Sequence, residues 1–138
     1  MRRFAIFACL GLLAGCAATP PKFGTAPPVP DSRVFDRSMT VSGPDKGQIY
    51  VVRWTDAVGA GGIDARVYVD GVRVANVGKG EGFRAFVTPG KHTVGVKLLG
   101  VDSVDQPVRY RDVEVSAGEV REFEIFWAGS AFDIQPHT

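Results

Sequence analysis

The residue with the most distinctive chemistry in the chain is Cys16, which ends an apolar stretch near the amino terminus. Two arginines come first, residues 4–13 are mostly apolar, and the small Ala14 and Gly15 lead into the cysteine. A cysteine sulfur is a soft nucleophile, and small neighbours let an enzyme approach the adjacent peptide bond. The layout predicts a secretory signal peptide over residues 1–15, since a membrane-spanning helix needs about 20 apolar residues.

The segment Leu13-Ala14-Gly15-Cys16 resembles the lipobox of bacterial lipoproteins, whose pattern is Leu, a small residue, Gly or Ala, and Cys. The resemblance implies that the Cys16 thiol receives a diacylglycerol, that a peptidase cuts before Cys16, and that the new amino terminus is usually acylated. Several acyl chains, each methylene contributing about 0.8 kcal/mol, hold a protein on a bilayer. Cys16 is therefore the predicted lipidation site. In the alternative, an ordinary signal peptide is cut nearby and Cys16 has no role.

The residues after the cysteine bear on location. In lipoproteins of enteric bacteria, an Asp directly after the cysteine commonly retains the protein on the inner membrane, whereas Ala17 and Ala18 follow it here. The resemblance thus implies a lipid anchor in the outer membrane, on its periplasmic face. Display on the cell surface stays open as an alternative.

Cysteine content and charge limit the chemistry of the rest of the chain. The second cysteine, Cys9, lies within the apolar run, so the chain after Cys16 has no cysteine, which excludes a disulfide and a zinc site with thiolate ligands. Without residues 1–15, which hold two of the 16 Lys and Arg, 14 basic residues face 15 Asp and Glu, for a net charge of about −1. A chain with no basic excess is not expected to bind nucleic acid.

Other residue types that could do chemistry form no convincing constellation. His92 falls where a turn enters a strand, which favours a structural role over that of a base or ligand, and His137 lies near the chain end. Asp102, Asp105 and Asp112 lack the dense oxygen-ligand spacing of a calcium loop. The glycine-rich segments 59–62 and 78–82 lack the spacing of a phosphate-binding loop. We therefore expect no catalytic residue, no cofactor and no metal site, and hence no enzyme.

The aromatic residues offer two interpretations. Six of them fall in predicted strands: Tyr50, Trp54, Tyr68, Phe83, Phe86 and Trp127. Buried, they would form the core of a β domain, and this is favoured because each alternates with residues of opposite character. Exposed on one face, they would form a platform for sugar rings.

The elements that must position these residues are strands. Residues 16–46 are predicted to be the lipidated cysteine and a Pro-rich tether. Its residues 17–32 hold five prolines and would extend at most about 50 Å as polyproline II, while residues 33–46 are open between helix, strand and loop. Over residues 47–128 the pattern has period two, with a type I′ hairpin predicted at Asp70-Gly71. About seven strands and many turns predict an all-β, antiparallel β-sandwich, followed by an irregular tail over residues 129–138.

The segments "IYVVRW" and "ARVYVDGVRVANVGKGEGFRAFVTPGKHTVGVKLL" resemble the DUF2846 and PEGA-like β domains of bacterial envelope lipoproteins. Those domains share an Ile-Tyr-hydrophobic-x-Arg strand, a V-x-hydrophobic-D-G hairpin and a P-G-x-H turn. The match covers residues 48–99 and extends to 119–127. It implies a small sandwich of carbohydrate-binding or carboxypeptidase-regulatory type and no assigned activity.

The expected function is therefore that of a lipid-anchored, non-catalytic accessory or interaction module of the bacterial cell envelope. It would contact the membrane through its lipid and an envelope protein through sandwich edges and the loops at 56–63 and 78–82. The alternative is a binder of glycan or peptidoglycan that uses exposed aromatic side chains.

Overall fold

The computed structural model describes residues 21–55, 62–98 and 107–138. Within these ranges the chain forms eight strands and two short 3₁₀ helices, over Asp31–Arg33 and Arg37–Thr40, which confirms the predicted all-β sandwich. The strands are β1 (Gly47–Arg53), β2 (Ala65–Val69), β3 (Val72–Val77), β4 (Gly82–Val87), β5 (Gly90–Leu98), β6 (Arg109–Val115), β7 (Val120–Trp127) and β8 (Phe132–Pro136). Among the described residues, no helix has the length and apolar character needed to cross a bilayer.

The strands form two four-stranded sheets that pack face to face. Sheet I has the order β4-β1-β7-β8 and sheet II the order β3-β2-β5-β6. The pair β1–β7 is parallel, and the other described pairs are antiparallel. The inner faces are dominated by valine, which suits a pleated and buried surface; fully buried examples are Val51, Val67, Val69, Val74, Val77, Val94 and Val96.

The register defines the two ends of the sandwich. Residues 78–81 connect β3 to β4 beside the carboxyl end of β1, where Val52 pairs with Gly82. We call this end, which also holds the turn at 128–131, the Gly80 end. The opposite end holds the turns at 70–71, 88–89 and 116–119, and we call it the Gly71 end.

The predicted hairpin at Asp70-Gly71 is confirmed. The two residues connect paired Val69 and Val72, and both have positive φ, 51° for Asp70 and 78° for Gly71. Positive φ at both central residues is the requirement of a type I′ turn.

The predicted irregular tail is wrong, because residues 132–136 form β8. Phe132 and Ile134 point into the core and are buried, and they alternate with Asp133 and Gln135. The guanidinium carbon of the buried Arg53 lies 4.5 Å from the centre of the Phe132 ring. The short apolar-polar alternation carries the strand, and Pro136 is tolerated since β8 is an edge strand.

The prediction of a tether over residues 17–32 is wrong for its described part, residues 21–32, while residues 33–46, left open in the sequence, include a stretch that covers the edge of β3. Residues 21–46 pack along one side of the sandwich, across the edges of both sheets. The amide of Val29 donates to the Gly82 carbonyl in β4 at 3.1 Å, and the amide of Phe35 donates to the Val74 carbonyl in β3 at 2.8 Å. Val29 is buried in the core, and Val34 and Met39 pack against it, so apolar residues spread along the segment dock it.

Candidate binding surface

The six aromatic residues that the sequence singled out have different surroundings. Phe83 lies in the core, as predicted. Tyr50 lies on the outer face of sheet I, yet it is only 3% exposed. The Phe23 ring covers it, with ring centres 5.5 Å apart, and the guanidinium carbon of Arg84 lies 3.7 Å from the Tyr50 ring centre. The N-terminal segment therefore covers what would otherwise be an exposed tyrosine.

Both tryptophans are half-buried and engaged within the chain. The Trp54 indole N–H donates to the Glu124 carboxylate at 3.0 Å. Trp127 packs edge-on against Phe132, with ring centres 5.3 Å apart. Phe86 is half-buried on sheet I, and only Tyr68 of the six lies on the outer face of sheet II.

Each of the four edge strands has one or two backbone groups engaged by other parts of the chain or by its own side chains. The N-terminal segment covers β3 and β4, as described above. On β6, the carbonyls of Tyr110 and Glu114 accept from Arg111 at 2.9 Å and Arg121 at 3.1 Å. On β8, the Asp133 carboxylate accepts from the next amide at 2.8 Å, and Pro136 has no N–H to offer. Such devices disfavour the addition of a further strand where they occur, and binding of a partner at the sandwich edges stays a prediction.

The segment 78–82, expected to be a binding loop, is a tight turn. The Glu81 amide donates to the Gly78 carbonyl at 3.1 Å, and the Gly78 amide donates to the Glu81 carboxylate at 2.7 Å. The other oxygen of that carboxylate pairs with Arg33. Of the second expected loop, residues 56–61 lie outside the described residues.

An aromatic row crosses the outer face of sheet II. The register pairs Arg73 of β3 with Tyr68 of β2, Tyr68 with Gly95 of β5, and Gly95 with Tyr110 of β6. The residues of this row alternate with buried valines of the inner face. The side chains of Tyr68, Arg73 and Tyr110 therefore point away from the core. A neighbouring row carries Asn76, Arg66 and Lys97, so this part of the face has basic side chains beside the aromatic ones, while Asp112 and Glu114 lie on the same face farther along β6.

Gly95 determines how the Tyr110 ring lies. A Cβ atom at Gly95 would be 2.6 Å from Cδ1 and Cε1 of Tyr110, which is closer than real side chains approach. The ring therefore rests directly over the glycine backbone, a close approach that explains glycine in the middle of a strand. Tyr110 remains 42% exposed.

Phe35 extends the row at the β3 edge. Its ring centre lies 3.8 Å from the guanidinium carbon of Arg73, a cation–π contact, and Phe35 is 49% exposed. Arg73 also donates to the Asn76 side chain at 3.0 Å, which fixes its orientation. We call Phe35, Tyr68, Arg73, Gly95 and Tyr110 the aromatic face.

His92 has the structural role that its position favoured. Its Nδ1 lies 2.7 Å from the Asp70 carboxylate and its Nε2 lies 2.6 Å from the Thr88 carbonyl, so both ring nitrogens are engaged. Burial lowers the pKa of His92. The hydrogen bonds to Asp70 and Thr88 and the charge of Asp70 raise it, and together they outweigh burial, so the pKa lies above its usual value. When it is protonated, the ring has an N–H donor for each of these two acceptors and ties two turns of the Gly71 end together.

The remaining predicted site residues divide into placed and unplaced ones. Cys16, Asp102 and Asp105 lie outside the described residues, and Asp112 is exposed on β6. His137 contacts Phe23, with ring centres 4.2 Å apart, and lies 3.5 Å from a Glu124 carboxylate oxygen. In the part of the chain that the structure describes, no three His, Cys, Asp or Glu side chains are grouped as metal ligands.

Comparisons of the chain with protein-family models, with curated proteins and with solved structures found no match. The candidate surface therefore depends on its own geometry. Sequence reasoning missed Phe35, Gly95 and Tyr110. The signal available for Tyr110 was its alternation with the apolar Val113 and Val115 farther along β6.

Proposed function

We propose that this chain is a lipid-anchored, non-catalytic interaction module of the bacterial cell envelope, attached through Cys16 to the outer membrane and facing the periplasm. Its partner is an envelope protein that binds the aromatic face. The lipobox-like Leu13-Ala14-Gly15-Cys16 supports the anchor, and the resemblance to envelope lipoprotein domains supports the compartment.

The aromatic face is the observation that carries the binding proposal. Aromatic residues and arginine are enriched at the centres of protein interfaces, where a few of them supply most of the binding energy. Phe35 and Tyr110 are among the large apolar residues left exposed, and Arg73 is held in a fixed orientation between Phe35 and Asn76. Preorganised side chains of this kind lose little conformational entropy on binding.

Glycan binding is the second candidate function, and Tyr110 is the observation that favours it. Its ring rests on Gly95 and leaves exposed surface toward solvent. The face of an aromatic ring is electron-rich, so it attracts the polarised C–H groups on one side of a sugar. Lys97, in the neighbouring row, suits a glycan that carries carboxylates.

The test compares Tyr110→Ala with Val120→Ala, a matched truncation of an exposed apolar residue on the other sheet. Acylated protein, solubilised from membranes in detergent, is used to capture partners, and in parallel is mixed with purified cell-wall sacculi. We expect one protein to be captured by wild type and Val120→Ala but reduced at least about 30-fold by Tyr110→Ala, as for a hot spot of about 2 kcal/mol. Retention on sacculi that Tyr110→Ala abolishes would support glycan binding instead. Capture that is the same for both variants would contradict a role for the aromatic face.

A further inference from the structure

We propose that the Gly80 end of the sandwich faces the lipid surface and that the Gly71 end points away from it. The inference rests on the proposed acylation of Cys16. The Gly80 end is the surface that lies against the headgroups of the bilayer.

The structure places the chain close to the Gly80 end from residue 21 onward. Pro21 and Lys22 share a groove with Arg53, Thr55 and Gly80, all at that end. Beyond them, the amide of Gly82 donates to the Pro27 carbonyl at 2.9 Å, which holds the segment where β4 begins. The position of Pro21, the first described residue after Cys16, is thus at the Gly80 end.

Covalent geometry limits how far the acylated residue lies from this point. Five backbone steps separate Cys16 from Pro21, and five fully extended residues span at most about 18 Å. A tether free to residue 32 would instead have allowed about 50 Å. A seven-residue strand such as β1 is about 23 Å long. The five backbone steps from Cys16 to Pro21 therefore cannot span the distance between the two ends of the domain.

Exposed charges agree with this orientation. Lys22 and Lys79 are exposed at the Gly80 end, where anionic headgroups would attract them. At the Gly71 end the exposed Lys91 lies among three exposed carboxylates, those of Asp70, Asp112 and Glu114, whose charges favour distance from such a surface. The tight turn at 78–81, held by its own hydrogen bonds, gives the lipid-facing end a defined shape.

The experiment uses the acylated chain purified from membranes, with its acylated mass verified, in vesicles of phosphatidylethanolamine and phosphatidylglycerol. Single cysteines are introduced as Lys79→Cys and Lys91→Cys. These are matched exposed lysines at opposite ends, and the natural chain has no cysteine after Cys16. Each is labelled with a nitroxide, and its relaxation by a headgroup-bound nickel chelate is measured. We expect the label at residue 79 to be relaxed several-fold more strongly than the label at residue 91.

A second arm tests the cause of the orientation. A 20-residue Gly-Ser insertion between Ala18 and Thr19 lengthens the tether without touching the packed segment, and it should reduce the difference between the two labels. Equal relaxation at both positions of the acylated protein, or stronger relaxation at residue 91, would overturn the orientation alone. A mature protein whose mass shows no acyl chain would overturn the proposed anchor, and the orientation with it.

Discussion

Truncating Ile134 to alanine tests whether the carboxyl-terminal residues are a structural strand. Ile134 is 0% exposed, points into the core from β8, and pairs with Ile125 of β7, which is also fully buried. Ile134→Ala removes three carbon atoms from a close-packed site and leaves a cavity, so we expect a loss of about 2–5 kcal/mol in the free energy of unfolding. The expectation lies toward the lower part of that range, because an edge strand can shift to fill part of the cavity.

The assay is equilibrium unfolding in urea of the chain from residue 17, which carries no lipid. With an m-value of about 2 kcal/mol per M, the midpoint should fall by about 1–2 M. The control is Val120→Ala, which truncates a 46% exposed branched residue on β7 and should change the free energy by less than about 0.5 kcal/mol. Equal midpoints for Ile134→Ala and Val120→Ala would refute β8 as part of the core and restore the irregular tail.

Three further predictions concern single positions. Gly71→Val should destabilise the domain by about 1–2 kcal/mol more than Gly62→Val in urea unfolding, because only Gly71 has a positive φ, and both positions have open space for a side chain. His92 has a raised pKa in the folded state, so its stabilisation is complete below about pH 6.5 and is lost as pH rises through the raised value. The unfolding free energies of wild type and His92→Gln should therefore converge as pH rises from 5.5 to 8.5, and a constant gap would contradict this. Gly95→Ala should displace the ring of Tyr110 and change its near-ultraviolet circular dichroism, since the new methyl group overlaps the ring.

Much of the fold was predictable because its signals are local. The type I′ turn at Asp70-Gly71 follows from two residues that tolerate positive φ between two alternating runs. The tail was missed because Phe132 and Ile134 provide only two apolar positions before Pro136, which is less than the usual length of a strand pattern. Their burial depends on pairing with β7, and no local pattern encodes that contact.

Residues 21–32 were mispredicted as a tether, and residues 33–46 were left open, for a related reason. Their prolines favour an extended chain, and the chain is extended, but extension does not distinguish a free tether from one that lies along strand edges. Val29 and Phe35 dock on β4 and β3, which are distant in sequence. Tertiary contacts, which the local sequence pattern does not show, therefore determine that the segment is packed.

The candidate surface was only partly predictable. Period two separates the two faces of a strand, but it does not tell which face meets the second sheet and which is covered by another segment. Tyr50 and Tyr68 have similar sequence surroundings, yet Tyr50 is covered by Phe23, whereas Tyr68 lies in the same cross-strand row as the exposed Tyr110, with Gly95 between them. The space that Gly95 leaves for the Tyr110 ring depends on the register between β5 and β6. The sequence does not predict that register, because ten residues, 99–108, separate the two strands.

The measurement that tests the central claim most directly is acylation of Cys16. Cells expressing wild type or Cys16→Ser are labelled with a palmitate analogue and fractionated, and the mature protein is weighed by intact mass spectrometry. We expect the mature wild type to begin at Cys16, to carry the label and to sediment with membranes, and we expect Cys16→Ser to carry no label and to stay unprocessed at that bond. Unlabelled wild type, or a Cys16→Ser variant processed and membrane-bound like wild type, would contradict the lipid anchor.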